Sequence, residues 1–176
     1  MIKKIISALI VVISSAVLAS AGGVTNIKEV VNRSSKIIRL TTYEDKNDVE
    51  SKWKTTRKIA AGAIWRGDMW IPWADNREQF LKHFLKIEIF SPRPKQNLSD
   101  VRVTMIYQSG EHVRTCPDNS YTEQNSDEIN IELPLFEYNA SAPRVAGVGR
   151  SGGDRRVIFS DNRDRSVGFI FEEFGR

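Results

Sequence analysis

The sequence predicts an all-β protein: an antiparallel β-sandwich, with a barrel as the alternative, carrying one short helix near residues 76–85. Three observations predict it. Apolar and polar residues alternate with period two through most of the chain, in segments rich in Val, Ile, Thr and aromatic residues. These segments are short, about ten in number, and recur roughly every 8–15 residues between turn-forming residues. No strand–helix–strand alternation of the kind that builds a parallel sheet is present.

The chain opens with a segment of different character. Lys3 and Lys4 precede the apolar run Ile5–Leu18, and Ala19-Ser20-Ala21 has the A-x-A form of a cleavage site. Residues 1–21 therefore read as a cleavable signal peptide and 22–176 as a single mature domain, which sets the expected localisation as secreted or periplasmic. The apolar run is shorter than the roughly 20 residues that a membrane-spanning helix needs.

Ile27–Asn32 and Lys36–Tyr43 read as strands joined by Arg33-Ser34-Ser35, and the charged stretch Tyr43–Trp53 as a solvated loop. Thr56–Ala61 and Met69–Trp73 are short candidate strands around Gly62 and Gly67. Asn76 is placed to cap a helix, with Gln79 three residues on, and Phe80, Leu81, Phe84 and Leu85 follow at helical spacing, so the helix is expected over Asn76–Leu85. Alternation returns in Lys86–Phe90, and Ser91-Pro92-Arg93-Pro94 breaks the chain. Val101–Gln108 and Glu111–Cys116 form a hairpin around Ser109-Gly110. Pro117–Asp127 is polar loop, and Glu128–Leu133 and Leu135–Tyr138 flank Pro134 as edge or kinked strands. Asn139–Asp154 is loop-like, and Arg155–Ser160 with Val167–Phe174 forms a last hairpin.

The formal charge is +4, and removal of Lys3 and Lys4 leaves about +2, so a nucleic-acid partner is not expected. The single cysteine, Cys116, allows no internal disulfide, and the core must supply the stability. Cys116 reads as a buried thiol, with a disulfide between chains as the alternative. The only histidines are His83 and His112, and neither C-x-x-C nor H-E-x-x-H occurs, so no metal site and no cofactor are expected.

The densest chemical feature is the stretch from Ile64 to Arg77, which holds three of the four tryptophans. Flat rings interleaved with planar hydrogen-bonding groups suit a surface ligand, whereas membrane contact or simple core packing would also use Trp. The candidate ligand-binding residues are Trp65, Asp68, Trp70, Trp73, Asp75, Asn76 and Arg77. A second candidate is an anion-binding patch of Arg155, Arg156, Arg163 and Arg165, hairpin residues expected to gather on one end of the sandwich. Gly147–Gly152 matches G-x-G-x-x-G, and the overlapping Gly149–Gly153 matches G-x-S-x-G, but both lack the strand-then-helix setting that those motifs need. Asp161–Arg165 is a charged hairpin tip. Asn32, Asn97 and Asn139 head glycosylation sequons.

The expected function is that of an exported, non-enzymatic binding protein recognising a surface glycan, a membrane lipid headgroup or a protein. A secreted hydrolase using two carboxylates, and a membrane-active toxin or effector, are the alternatives. The oligomeric state is open.

Overall fold

A computed structural model describes residues 23–45, 51–55, 58–93, 98–116, 119–124, 137–149 and 152–175. Two sheets pack face to face as a β-sandwich. The first has the order β10-β9-β1-β4, built from β1 (Thr25–Asn32), β4 (Ile64–Trp70), β9 (Gly153–Asp161) and β10 (Val167–Glu173). The second has six strands: β2 (Ile37–Asp45), β3 (Ser51–Thr55), β5 (Phe84–Arg93), β6 (Leu98–Ser109), β7 (His112–Thr115) and β8 (Asn119–Gln124). Its order is β3-β2-β5-β6-β7, with β8 also on β6. All pairings are antiparallel except β1 with β9. The sheets end in edge strands and do not close, so the sandwich holds and the barrel alternative falls.

The main core fills the space between the sheets. Ile27, Val30, Val157, Phe159 and Phe171 come from the first sheet, and Ile38, Leu40, Leu85, Ile87 and Ile106 from the second. Each such side chain contributes about 1.5–3 kcal/mol when fully buried. The buried side chain of Gln108 pins the sheets at one end: its Nε2 donates to the Gly23 carbonyl oxygen at 2.8 Å, and its Oε1 accepts from the Thr25 N–H at 3.2 Å. Arg102 pins the other end by donating to the Val167 carbonyl.

The six-stranded sheet is buried on its outer side as well. Tyr43, Phe84, Met105, Tyr107 and Cys116 form a second cluster there with Phe80, Ala74 and Ala142, and Phe90, Val101 and Val103 form a third. Between them lie buried charges. Arg39 grips Glu88 through two parallel hydrogen bonds, Nε to Oε2 at 2.6 Å and Nη2 to Oε1 at 2.8 Å, and Lys86 Nζ stands 3.1 Å from the same carboxylate.

Several elements differ from the sequence expectation, for identifiable reasons. The helix α1 spans only Arg77–Phe80 rather than Asn76–Leu85. Asn76 caps it as expected, accepting from the Gln79 N–H at 2.9 Å, and Gln79 returns the bond from the Asp75 N–H at 2.8 Å. Phe84 and Leu85, however, face opposite sides of β5, one in the second cluster and one in the main core. Phe80 and Phe84 mimic a helical pair because both reach the same cluster, with ring centroids 6.1 Å apart. The expected strand Met69–Trp73 starts earlier, as β4, and ends at Trp70. Of the expected strand Thr56–Ala61, residues 58–61 are described, and among them only Ile59 makes a bridge, to Ile38. The expected loop at Tyr43–Trp53 contains the end of β2 and the start of β3, and the expected loop at Pro117–Asp127 contains the whole of β8. The strands expected at Glu128–Leu133 and in Leu135–Tyr138 lie almost wholly outside the described residues, as does the signal segment 1–21.

Candidate functional site

The outer side of the four-stranded sheet is the open face of the sandwich. Strict alternation along β4 turns Trp65 and Met69 toward the core and leaves Ile64, Arg66, Asp68 and Trp70 exposed. Gly67 makes this packing possible, because a Cβ there would stand 2.5 Å from Cζ2 of the Trp65 ring.

Strand register arranges this face in rows. In one row Arg66 lies opposite Glu29, Glu29 opposite Arg156, and Arg156 opposite Glu172. Arg66 Nε donates to Glu29 Oε2 at 2.7 Å, Arg156 Nε donates to Oε1 at 2.5 Å, and Arg156 Nη1 is 3.9 Å from Glu172. The hydrogen bond from Arg66, seconded by Arg156, holds the Glu29 carboxyl below the usual carboxylate range although burial opposes it. The next row is apolar: Ile64, Val31, Ile158 and Ile170 are consecutive across the four strands.

On the other side of the charged row, Trp70 lies opposite Asn26 and Asn26 opposite Asp154, whose carbonyl accepts from the Phe174 N–H at 3.1 Å. Asn26 Nδ2 donates to both Asp68 Oδ1 at 3.0 Å and Asp154 Oδ1 at 3.4 Å. Lys28, in a bulge of β1, pairs with Asp68. The Lys28 contact first, then the Asn26 bond, holds Asp68 below its ordinary range. Asp68 and Asp154 thus share one amide. A general acid must hold its proton near working pH, and Lys28 stabilises the opposite state.

The structure divides the tryptophan stretch between the two sheets. Trp65 is half-buried against the main core, Asp68 and Trp70 belong to the open face, and the remaining residues cross to the second sheet. There Trp73 makes a bridge to Gln108, and its carbonyl oxygen lies 3.2 Å from His83 Nδ1. Asp75 accepts from Ser109 Oγ and the Gly110 N–H at 3.4 Å, and its carbonyl oxygen accepts from the Tyr138 hydroxyl at 2.8 Å. Asn76 is the helix cap, and Arg77 is an exposed residue of α1.

The four arginines do not share a surface. Arg155 pairs in register with core-facing Ile27 and is buried, with Nη2 3.4 Å from the Val148 carbonyl oxygen. Its neighbour Arg156 faces outward on the open face. Hairpin register sets Arg155 opposite Glu173 and Arg156 opposite Glu172, so Arg163 and Arg165, in the turn beyond Asp161, are roughly 20 Å away along the strand. That turn is closed by its own side chains: Asp164 Oδ1 accepts from the Ser166 N–H at 3.0 Å and from its hydroxyl at 2.7 Å, which lowers the Asp164 pKa.

Other sequence features resolve structurally. Gly147 sits at φ 82° with its Cα pressed on β10, where a Cβ would stand 1.8 Å from the Phe171 carbonyl oxygen. Val145 and Val148 of the same loop are core residues, so close packing accounts for this glycine. Asn32 is buried, its amide donating to the carbonyl oxygens of Lys36, Ile59 and Ala60 at 2.8–3.0 Å, which leaves no room for a glycan in the folded chain. Burial pushes the Cys116 thiol up to about 11. Among the described residues, no group of three or more His, Cys, Asp or Glu side chains is placed to hold a metal, and no helix is long and apolar enough to cross a membrane.

The sequence reading missed Asn26, Lys28, Glu29, Arg66, Asp154 and Glu172. Alternation along Ile64–Trp70 was the available signal for Arg66, but the others join it only through strand order. Comparison with protein-family models, with curated proteins and with solved structures finds no match.

Proposed function

We propose that the chain is an exported, non-enzymatic binding protein that uses the open face of the four-stranded sheet to hold a protein partner. One observation carries this reading. Of the six large apolar side chains most exposed among the described residues, four (Ile64, Trp70, Ile170 and Phe174) lie along the two edges of this one face. Exposed apolar groups sharing one face with a row of charges suit an interaction surface. The charges favour protein over an anionic headgroup, since Arg66, Glu29, Arg156 and Glu172 alternate in sign and build no positive field. Export is supported by the pattern of residues 1–21.

A photo-crosslinking residue placed at Ile170, in cells producing the full chain, tests the reading. One discrete adduct from position 170 and none from the equally exposed Leu81 is expected. No discrete adduct, or the same adducts from both positions, overturns it. A second reading, a glycan stacked on Trp70, is favoured by the planar groups of Asn26, Asp68 and Asp154 beside that ring. Its signature is a saturable change in tryptophan fluorescence on titration with one polysaccharide.

A further inference from the structure

We infer that the partner held on this face is a second copy of the chain, packed face to face about a two-fold axis that runs along the strands. The inference rests on the reading of the open face as a protein-binding surface. It comes from the symmetry of the rows.

A two-fold axis in the plane between two facing sheets, parallel to the strands, keeps each row at its own level and reverses its order. The order β10-β9-β1-β4 then meets β4-β1-β9-β10 of the second copy. In the charged row, Glu172 meets Arg66, and Arg156 meets Glu29. The row alternates in sign and has an even number of members, so reversal pairs every charge with its opposite. The terminal members are available for this, with 72 % of the Arg66 side chain and 45 % of the Glu172 side chain exposed, whereas Glu29 is already enclosed by its two arginines.

The same operation pairs the exposed ends of the apolar row. Ile64 on one edge, 55 % exposed, meets Ile170 on the other, 46 % exposed. Beyond the charged row the register shifts at the β1 bulge, with four residues from Arg66 to Trp70 on β4 and two from Glu172 to Phe174, so Trp70 and Phe174 lie on the same side of the charged row without standing at one level. Ile64 and Ile170 thus each meet an apolar partner from the opposite edge of the other copy's sheet. Isologous contacts require this property, the same patch being complementary to itself. Aligned sheets pack about 10 Å apart, close enough for these rows to interlock. The face is four strands wide and small for an interface, so the dimer is expected to be concentration-dependent.

Sedimentation of the full chain across a micromolar concentration series is the first measurement, with a monomer–dimer transition expected. Arg66→Glu and Glu172→Arg, each alone, set like charges against each other twice per dimer, and each is expected to weaken association at least tenfold. The double variant restores opposite charges across the axis and is expected to recover most of it. Geometry is read by short bis-maleimide crosslinking of Ile64→Cys mixed with Ile170→Cys. The mixture is expected to give a crosslinked dimer, while neither variant alone does. Buried Cys116 is silent in the native chain, and melting curves show that each variant is folded.

A chain that stays monomeric at every concentration, or a dimer in which Ile64→Cys crosslinks to itself, overturns the inference. The Ile170 photo-crosslink separates this failure from that of the broader reading. An adduct of twice the chain mass supports both. A discrete adduct of any other mass keeps the protein-binding face and removes the second copy. No discrete adduct removes both.

Discussion

The outer faces of the two sheets are built from similar patterns and meet opposite fates. On the four-stranded sheet the buried Glu29 shares charge with Arg66 and Arg156, which reach solvent, and on the six-stranded sheet Arg39, Glu88 and Lys86 share it under complete burial. Both sets alternate with apolar residues along their strands. The first set keeps an arginine in water, and the second has its charge enclosed among aromatic rings: Arg39 lies 4.9 Å from the Phe90 ring, and Lys86 lies 5.8 Å from that of Tyr43. The same chemistry therefore does different work. At the surface an ion pair contributes little to stability and is free to serve contact, whereas a buried one fixes the fold because neither charge tolerates the loss of its partner.

The largest effect is expected at the buried set. Glu88→Gln removes the carboxylate that Arg39 and Lys86 share, and should cost about 3–5 kcal/mol in urea unfolding. A cost as small as that of a surface pair would place these charges in reach of water and erase the contrast.

Glu29→Gln on the open face should cost less than Glu88→Gln, because Arg66 and Arg156, which enclose the buried Glu29, themselves reach water, and its effect should depend on pH. The folded-state pKa of Glu29 lies below the ordinary 4.5, so its contribution is present above 4.5 and is lost as pH falls through the lowered value. The stability difference between wild type and variant should therefore be constant near neutrality and shrink in acid. A difference that grew in acid would reverse the assigned sign.

The smallest effect, with no change in stability, is a reactivity. Cys116 belongs to the second cluster and its thiol is pushed up to about 11, so a thiol reagent near neutral pH should modify it only after denaturant unfolds the chain. Rapid modification of the native chain would mean that the outer side of the six-stranded sheet opens.

Much of the fold was legible in the sequence. Val101–Gln108 alternates because Val101, Val103, Met105 and Tyr107 pack into the clusters on the outer side of the six-stranded sheet, while Ile106 faces the opposite sheet, and Ser109-Gly110 marks its turn because Gly110 adopts φ 56°. Helix length was not legible, because the recurrence of Phe80 and Phe84 comes from a shared tertiary cluster and not from one helical face. The site was half legible. Asp68 and Trp70 stand out in the sequence, but Asn26, Glu29, Arg156 and Glu172 are brought beside them by strand order across separations such as 127 residues between Arg156 and Glu29.

The sequence alone determined the β-sandwich class and the capping of the helix by Asn76, since local periodicity and backbone chemistry decide these. Tertiary structure alone decided that Trp70 and Trp73 part to different sheets, that Arg155 turns inward while Arg156 turns outward, and that one charged strand face is buried and the other open. The physical reason is that a period-two pattern defines two faces of a strand. Which of those faces is covered depends on the neighbours that distant parts of the chain bring to it.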